Sequence, residues 1–534
     1  MLRLTGIRLG LDEGREALEK KILERLGISP RELRAYTIRK EAIDARRRGE
    51  ITFVYTLDVD VAHEARLAAR LGDMVRRTPD EEYRPPQKGT EPLPYRPVIV
   101  GSGPAGLFAA LLLAQEGYAP LVLERGLAVE ERTRRVRHFF ETGELDPECN
   151  VQFGEGGAGT FSDGKLTTNI HDQRCRKVLE ELVAAGAPPE ILYSAKPHVG
   201  TDRLQVVVRN LRGRILAAGG EVRFGSRLTG IARRAGRVAG IEVNGEEFLP
   251  CSALVLAVGH SARDTFQMLL ENGITLVPKP FSIGARIEHP QALIDAAQYK
   301  KFAGHPRLGP ADYKLVYHAP SGRSAYTFCM CPGGMVVAAA SEPGHVVTNG
   351  MSEYARSAPN ANSALLVDVA PADFGGDHPL AGVEFQRRYE AAAFLAGGGA
   401  FRAPVQLLRD FLAGRPSDAL GSVTPSYPRG VTPGDLTACL PPYVIETLRA
   451  AIPVWARKLK GFDLADAVLT GVETRSSSPV RIVRDENGEA SLGGLFPAGE
   501  GAGYAGGIVS AAVDGLRAAE AIIRRYAPPK AGRP

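Results

Sequence analysis

The amino-acid sequence predicts an α/β fold with several domains. A short apolar run at residues 98–100 is followed by a glycine-rich turn and then by an Ala- and Leu-rich pattern that is typical of a helix. About 390 residues further on, residues 494–507 again join an apolar run to a helical pattern through glycines. The chain has 534 residues, which is too long for a single hydrophobic core, so two or three domains are expected.

The first glycine-rich segment has the pattern G-x-G-x-x-G and begins at Gly101. Its first glycine permits a tight turn, Gly103 lets the backbone approach a pyrophosphate, and Gly106 lets the following helix pack against the strand. The predicted helix covers Ala105 to Glu116, and its N-terminus offers free N–H groups and the positive end of the helix dipole. A diphosphate is therefore the expected ligand of this turn.

An acidic residue follows the next predicted strand. Residues 120–123 are apolar and lead to Glu124, where a carboxylate can accept hydrogen bonds from ribose hydroxyls and would repel a 2′-phosphate. Residues 154–159 and 501–506 contain the same glycine pattern, but they lack the strand–turn–helix–strand–acid context. The sequence therefore predicts one Rossmann-type dinucleotide site, which opens at Gly101.

The second glycine-rich segment indicates that the dinucleotide is a flavin. Residues 495–498 predict a buried strand and residues 508–523 predict a helix. The N-terminus of that helix, at Gly506 and Gly507, would face the flavin ring near its O2 edge and stabilise negative charge there. Glu500 would accept a hydrogen bond from a ribityl hydroxyl.

A third apolar run supports the same interpretation. Residues 251–260 predict a strand that ends in Ala257-Val-Gly259, and two alternating runs at 220–231 and 237–244 precede it. This order of elements resembles that of the flavoproteins with two dinucleotide-binding domains. The resemblance implies that the Ala-Val-Gly turn approaches FAD and that the strand carrying Leu228 contacts the adenine through its backbone.

Several longer motifs resemble one particular family. They are Gly154-Glu-Gly-Gly-Ala-Gly-Thr-Phe-Ser-Asp-Gly-Lys-Leu-Thr-Thr168, Phe328-Cys-Met-Cys-Pro-Gly-Gly334, Ser341-Glu-Pro-Gly344, Val347-Thr-Asn-Gly-Met351 and Glu473-Thr-Arg-Ser-Ser-Ser-Pro-Val480. Over nearly its whole length the chain is similar to the bacterial family of uncharacterised FAD-dependent dehydrogenases, NAD(P)/FAD-dependent oxidoreductases of the glutathione-reductase-like superfamily. The resemblance implies one FAD per chain and leaves the substrate open, and nothing in the sequence indicates a covalent flavin link.

The positions expected to contact FAD lie in these glycine-rich segments and beside them. They are Gly101, Ser102, Gly103, Pro104, Ala105, Gly106, Glu124, Arg125, Gly156, Gly157, Ala158, Gly159, Thr160, Lys165, Leu228, Ala257, Val258, Gly259, Gly499, Glu500, Gly506, Gly507 and Ile508.

Four side chains are candidates for chemistry beside the flavin ring. Lys165 could offset charge on the ring, or it could be a solvated lysine. His260 follows the Ala-Val-Gly turn and could donate a proton, or simply end a strand. Arg475 precedes three serines and suits a substrate with a carboxylate or carbonyl group, although a polar loop is the alternative. The period of two puts Cys331 and Cys329 on one strand face with Met330 on the other, where a thiol could react with substrate or flavin, or be a small buried hydrophobe.

Composition narrows the function classes. The chain has six cysteines and no C-x-x-C pair, which counts against a disulfide reductase and against a zinc or iron–sulfur site, so no metal is expected. The net charge is only +5, and the arginine clusters at 132–137 and 46–48 are typical of solvated faces, so we do not expect nucleic-acid binding. The sequence has no apolar run long enough for a membrane span, and a cytoplasmic location is expected.

The order of these features predicts a Rossmann-like FAD-binding domain with an inserted α+β substrate or cap domain and a small N-terminal α/β domain. The N-terminal domain would cover residues 1–80, with a short helix around Lys40 to Arg47, and a proline-rich linker would cover 81–94. The FAD-binding domain would be discontinuous, at 95–277 and 472–534. The inserted domain would cover 278–471 and hold the substrate.

The expected function is that of an FAD-dependent oxidoreductase, a dehydrogenase or reductase that exchanges a hydride with flavin N5 of FAD and acts on a small molecule. Because only one dinucleotide fingerprint is present, NAD(P)H, if used, would bind transiently. Three alternatives remain open at this point. The first is a flavin monooxygenase, although the D-G-x-x-S-x-x-R signature is missing, and the second is an RNA-associated flavoprotein resembling tRNA-modifying enzymes. The third is a flavin-binding structural or regulatory subunit without turnover. The sequence does not indicate an oligomeric state.

Overall fold

The computed structural model describes residues 1–46 and 50–529 of the chain. Arg47 and Arg48 of the arginine cluster at 46–48 lie outside the described residues. Among the described residues, no helix combines the length and the apolar character that crossing a bilayer would require.

The N-terminal part is a four-stranded antiparallel sheet with two helices. Its elements are β1 (Leu2–Gly10), α1 (Ala17–Leu26), β2 (Leu33–Asp44), β3 (Thr52–Val61), α2 (Glu64–Leu71) and β4 (Val75–Arg77), and the strand order is β2-β3-β1-β4. Helix α1 buries Leu18, Ile22 and Leu26 along one face. The short helix predicted around Lys40 to Arg47 is wrong, because β2 continues to Asp44 and pairs along its length with β3. Pairing with a distant strand here outweighs the local preference for helix.

The segment predicted as a linker, 81–94, lies against the C-terminal helix. The backbone N–H of Gly89 donates to the carbonyl oxygen of Ile523 at 2.8 Å, and the hydroxyl of Tyr83 donates to Glu520 at 3.0 Å. No helix forms in this segment, which agrees with its proline content.

The next part of the chain contains most of the predicted FAD-binding elements. They are β5 (Val98–Val100), α3 (Pro104–Gln115), β6 (Leu121–Leu123), α4 (Val129–Thr142), α5 (Arg174–Ala184), α6 (Thr201–Ala217), β7 (Glu221–Arg223), β8 (Leu228–Arg234), β9 (Arg237–Val243), β10 (Glu247–Leu249), β11 (Leu254–Leu256), α7 (Arg263–Glu271) and β12 (Leu276–Pro278).

The elements of the predicted insertion follow. They are β13 (Phe281–Pro290), α8 (Gln291–Tyr299), β14 (Val316–His318), β15 (Ser324–Cys331), β16 (Met335–Ala338), β17 (Thr348–Met351), β18 (Asn360–Val369), α9 (Ala381–Ala396), β19 (Ala403–Leu407), α10 (Leu408–Ala413), β20 (Val431–Pro433), α11 (Pro442–Lys458) and β21 (Val468–Glu473). The chain ends with β22 (Val480–Ile482), β23 (Leu495–Pro497) and α12 (Ile508–Arg525).

A five-stranded parallel sheet brings the two glycine-rich segments together. Its order is β23-β11-β5-β6-β7, so β23, from the far end of the sequence, pairs with β11, and β11 pairs with β5. Because all strands run the same way, the turns that follow β5, β6, β11 and β23 meet at one edge of the sheet. This edge is where the sequence predicts the dinucleotide site.

The insertion is built on a seven-stranded mixed sheet. Its order is β14-β15-β18-β13-β21-β19-β20, with only β19 and β20 parallel. Strand β21 belongs to this sheet and crosses the predicted domain boundary between residues 471 and 472, and β12 pairs with β22 across the two halves of the predicted FAD-binding domain. The domain limits themselves stay predictions.

Candidate functional site

A cavity of about 460 Å³ lies at the carboxyl edge of the parallel sheet. The turns after β5, β6, β11 and β23 form one side of it, and residues of the seven-stranded sheet, including Thr327 and Glu473, form the other. The cavity is therefore shared between the nucleotide-binding elements and the insertion, a common position for a cofactor together with its substrate.

The backbone forms an open cradle on the nucleotide side. Gly103 and Gly157 face one another, and a Cβ added to Gly157 would come within 3.0 Å of the Cα of Gly103. Gly157 also has a φ of +64°, which side-chain-bearing residues rarely adopt. Two glycines thus leave room for a ligand where any side chain would narrow the cavity.

Two helix N-termini border the cavity without a capping side chain. Helix α3 has Gly103 as its N-cap and α12 has Gly507, and neither has a side-chain hydrogen bond to its first turn. Free N–H groups and the positive end of each helix dipole therefore remain available to an anionic ligand.

Glu124 is held rigidly where the second strand ends. One carboxylate oxygen accepts from the N–H and hydroxyl of Ser102, at 2.9 and 2.7 Å, and the other accepts from the N–H groups of Gly126 and Gly154, at 2.9 and 3.1 Å. Four donors fix the orientation of this carboxylate. Arg125, which follows it, lies 4.1 Å over the ring of Phe153 and binds Glu148 and Asp264, so it forms a flat wall of the cavity.

The glycine loop after residue 150 depends on a buried arginine. Arg132 of α4 is fully buried and donates to five carbonyl oxygens, those of Asn150, Val151, Gly154, Glu155 and Gly157, at 2.6 to 3.1 Å. Burial lowers the pKa of Arg132 to about 10, so the guanidinium keeps its charge at neutral pH. It acts as an internal template that shapes residues 150–157.

A buried ion network lies at the other end of the cavity. Arg475 binds the carboxylate of Glu390 through Nε and Nη2, at 3.0 and 2.9 Å, and its Nη1 donates to the hydroxyls of Ser261 and Ser341, at 3.1 and 2.6 Å. Glu390 also accepts from Arg263 at 2.7 and 3.0 Å. The guanidinium of Arg475 is thus engaged by protein groups, and its direct use for a substrate carboxylate stays a prediction.

His260 lines the cavity beside this network. Burial, together with the charges of Arg475 and Arg263, lowers its pKa to about 3, so the imidazole is neutral at physiological pH. Its Nδ1 lies 3.1 Å from the hydroxyl of Ser261, the serine that Arg475 contacts.

Glu500 follows β23 in the cavity wall. Burial raises its pKa to about 7, and Lys279 only partly opposes that effect. This carboxyl can therefore hold or release a proton near neutral pH.

Strand β15 does not keep the simple alternation that the sequence predicted. Phe328 pairs with Ala364 and Cys331 with Asn362, so an extra residue bulges out of β15, and Cys329 has a φ of +43°. The prediction that Cys329 and Cys331 share one strand face is therefore wrong, because the bulge interrupts the period of two. The bulge places Cys329 and Met330 in the cavity wall, with Cys331 buried behind them.

Lys165 lies against the same bulge. Its Nζ donates to the carbonyl oxygen of Met330 and is 3.6 Å from the carboxylate of Asp163. Burial lowers its pKa, but Cys331, Cys329 and Asp163 outweigh that effect and leave the pKa raised. Lys165 is therefore a cation at the cavity wall rather than a solvated surface lysine.

Most of the sequence-predicted positions line this one cavity. They are Gly101, Gly103, Pro104, Ala105, Glu124, Arg125, Gly157, Ala158, Gly159, Lys165, Leu228, Ala257, Val258, Gly259, His260, Arg475, Gly499, Glu500, Gly506, Gly507 and Ile508. The remaining ones lie just behind the wall and are Ser102, Gly106, Gly156, Thr160 and Cys331. Their roles stay predictions.

Other residues that line the cavity were not predicted from the sequence. They include Gln152, Phe153, Ser226, Arg227, Asp312, Tyr313, Lys314, Thr327, Asn349 and Glu473. Glu473 and Asn349 lie within the family motifs and could have been predicted from them, whereas residues 312–314 belong to no recognisable pattern. Among the described residues, no group of three His, Cys, Asp or Glu side chains is arranged to hold a metal ion.

The arrangement fits a flavin dinucleotide. The glycine cradle and the N-terminus of α3 suit a pyrophosphate, Glu124 and the Arg125–Phe153 wall suit an adenosine, and the N-terminus of α12 suits the ring. The cradle is the decisive feature, since a Cβ at Gly157 would come within 3.0 Å of the Cα of Gly103 and narrow it.

Comparison with known proteins agrees with the fit of this cavity to a flavin dinucleotide. Residues 280–476 match the family described as "FAD-dependent protein, C-terminal domain-like", residues 99–136 match an NAD(P)-binding Rossmann-like domain, and residues 1–60 match a domain of unknown function. An uncharacterized protein of Clostridium beijerinckii is 50% identical over 532 residues, which cover 99% of this chain and 100% of that protein. The chain belongs to this family of FAD-dependent proteins. FAD is the family's cofactor, and the placement within the glutathione-reductase-like superfamily stays a prediction.

Solved flavoprotein structures are only distantly similar to this family member. A flavin-dependent brominase variant is 15% identical with a TM-score of 0.37, covering 80% of each chain. The FAD complex of glycerol-3-phosphate dehydrogenase from Bacillus halodurans is 9% identical with a TM-score of 0.34, covering 80% of this chain and 64% of that one. Glycine oxidase from Bacillus cereus is 11% identical with a TM-score of 0.32, covering 81% of this chain and 98% of that one.

Proposed function

We propose that this protein is an FAD-dependent oxidoreductase that holds FAD non-covalently in the 460 Å³ cavity and exchanges a hydride between flavin N5 and a small molecule. The observation that carries the proposal is the convergence of the turns after β5, β6, β11 and β23 with the glycine loop at 157–159 on one cavity that continues into the insertion. The adenosine end would lie by Glu124 and Leu228, and the ring would lie by Gly506 and Gly507.

Bound FAD supplies the two-electron chemistry, and the chain supplies position and charge. The N-terminus of α12 and the cation of Lys165 would stabilise negative charge that develops at the ring. Glu500 has a pKa of about 7, and in its ionised form it would accept a hydrogen bond from a ribityl hydroxyl.

The polar groups at the far end would orient the substrate. Arg475 is neutralised by Glu390, so it would act through the two serine hydroxyls that it holds, Ser261 and Ser341. His260 is neutral and would serve as a hydrogen-bonding group rather than as a cation. A small substrate with a carbonyl or hydroxyl at the reacting carbon matches such neutral, fixed donors and acceptors.

An external reductant would enter the same cavity. The sequence contains one dinucleotide fingerprint, which FAD itself would occupy, so NAD(P)H would bind transiently from the insertion side. Lys165 and, from the insertion, Lys314 line the cavity, so cations would be available there for the phosphates of the reductant.

Anaerobic titration tests this function. The purified protein should carry about one flavin per chain, and NADH or NADPH should bleach the flavin absorbance at stoichiometric amounts. A flavin that neither nucleotide reduces would overturn the reductant assignment and favour an oxidase reduced by its own substrate. Salt-sensitive co-purification of RNA would instead favour the RNA-associated alternative, and product formation that requires O₂ would favour a monooxygenase.

A further inference from the structure

Two cysteines meet at the bulge of β15, although they are separated by one residue rather than by the two of a C-x-x-C pair. The register shift between Phe328 and Cys331 inserts one extra residue, and Cys329 adopts a left-handed backbone conformation with a φ of +43°. Bulges bend a strand and redirect its side chains. Here the bulge turns Cys329 into the cavity wall while Cys331 stays buried behind it.

The two thiols lie within one turn of the backbone. The Sγ of Cys331 donates to the carbonyl oxygen of Cys329 at 3.2 Å. A hydrogen bond from Cys331 is the main reason that the pKa of Cys329 falls to about 5, and Lys165 and Arg286 lower it further against the effect of burial. The pKa of Cys331 is raised. A thiolate and a protonated thiol on one bulge are the two forms that thiol–disulfide chemistry uses.

Two cations hold the backbone between these thiols. Arg286, which is fully buried, donates to the carbonyl oxygen of Cys329 at 3.1 Å and binds Glu473 at 2.6 and 3.0 Å. Lys165 donates to the next carbonyl oxygen, that of Met330. One buried cation and one half-buried cation therefore hold consecutive carbonyl groups of the bulge.

The pair faces the half of the cavity that we assign to the flavin ring. Cys329 and Glu500 line the same cavity, and Cys329 is one of the groups that raise the pKa of Glu500. We propose that Cys329 and Cys331 form a dithiol–disulfide pair that stores two electrons beside the flavin and exchanges them with it. This inference rests on the proposed function, since it requires FAD in this cavity.

The exchange balances without any further reactant. When the pair reduces FAD, the S–H bond of Cys331 breaks, one S–S bond forms between the Cys329 thiolate and Cys331, and the two sulfurs together lose two electrons and one proton. FAD takes both electrons and that proton to become FADH⁻. The reverse reaction returns the pair of electrons to the disulfide.

Electron counting tests the pair. Protein that has been oxidised with ferricyanide and freed of it is titrated anaerobically with dithionite while flavin absorbance and total reductant are followed. The wild type should consume two two-electron equivalents per FAD, whereas Cys329→Ser and Cys331→Ser should each consume one. Cys175→Ser, which changes a half-buried thiol outside the cavity, should still consume two.

Thiol labelling provides a readout independent of the flavin signal and of any variant. Of the six cysteines, four should react with iodoacetamide in denaturant after oxidation and all six after dithionite, with the difference located in the peptide that contains residues 329–331. One equivalent per FAD together with six labelled thiols in the oxidised protein would overturn the pair and leave the proposed function standing. A protein that binds no FAD would overturn both.

Discussion

Glu500 is a single carboxyl whose proton should control FAD binding. Burial raises its pKa to about 7 in the cavity wall, so the side chain is protonated below that pH and ionised above it. A ribityl hydroxyl donates more strongly to a carboxylate than to a carboxylic acid. FAD binding should therefore favour the ionised form and lower the pKa of Glu500 in the complex.

The prediction concerns the pH dependence of FAD affinity. In the wild type, the Kd for FAD should rise as pH falls below 7, by up to about tenfold per pH unit, because a proton must leave Glu500 before FAD binds. In Glu500→Gln the Kd for FAD should be higher than that of the wild type at pH 8, and it should be nearly independent of pH between 5 and 8. Quenching of FAD fluorescence measures the Kd of both proteins at each pH. The exposed Glu486→Gln should retain the wild-type slope, and a wild-type Kd that does not change with pH would contradict the role of Glu500.

Gly157 is the second residue-scale test. Gly157→Ala should weaken FAD binding by about tenfold or more, because the new Cβ would lie 3.0 Å from the Cα of Gly103 and narrow the cradle. Gly117→Ala is the control for a positive φ, since Gly117 has a φ of +85° and its Cβ would meet nothing within 4 Å. Equal FAD affinities of the two variants in equilibrium dialysis would show that the cradle does not bind the cofactor.

At the scale of elements, local signals were sufficient for some predictions and not for others. Helix α3 begins one residue before its predicted start, because glycine spacing and helical periodicity are local signals. The β2 extension to Asp44 and the bulge at Cys329 both depend on a partner strand far along the chain. Such pairings set register, and a single sequence does not contain them.

The loop at 150–157 is the element whose shape a single side chain determines. Arg132→Met should lower the free energy of unfolding by about 3 kcal/mol or more, because five buried carbonyl oxygens lose their donor. It should also make residues 150–157 sensitive to proteolysis. Arg135→Met, at an exposed position of the same helix, should change neither. Urea denaturation and limited proteolysis measure the two effects, and an intact, protease-resistant Arg132→Met protein would contradict the template role.

At the scale of the whole molecule, the network of Arg263, Glu390 and Arg475 joins parts of the fold that are far apart in sequence. Arg263 belongs to α7 next to the parallel sheet, Glu390 belongs to α9 of the insertion, and Arg475 follows β21. Burial opposes ionisation of Glu390, but the two guanidinium groups lower its pKa well below the usual range. None of the three has a sequence neighbour that signals this contact, which explains why the sequence indicated only Arg475.

The last prediction tests whether this network couples the insertion to the nucleotide-binding sheet. Glu390→Gln leaves two buried guanidinium groups facing a neutral amide, which should lower the free energy of unfolding by about 3 to 5 kcal/mol. It should also separate the unfolding transition into two steps, because the ion pairs of Glu390 would no longer join the insertion to the nucleotide-binding part. Glu384→Gln, an exposed position on the same helix that pairs with Arg387, should leave one transition at the wild-type midpoint. Circular dichroism follows the whole chain during urea denaturation while flavin fluorescence follows the cavity. Coincident curves for Glu390→Gln at wild-type stability would show that apolar packing alone holds the two parts together.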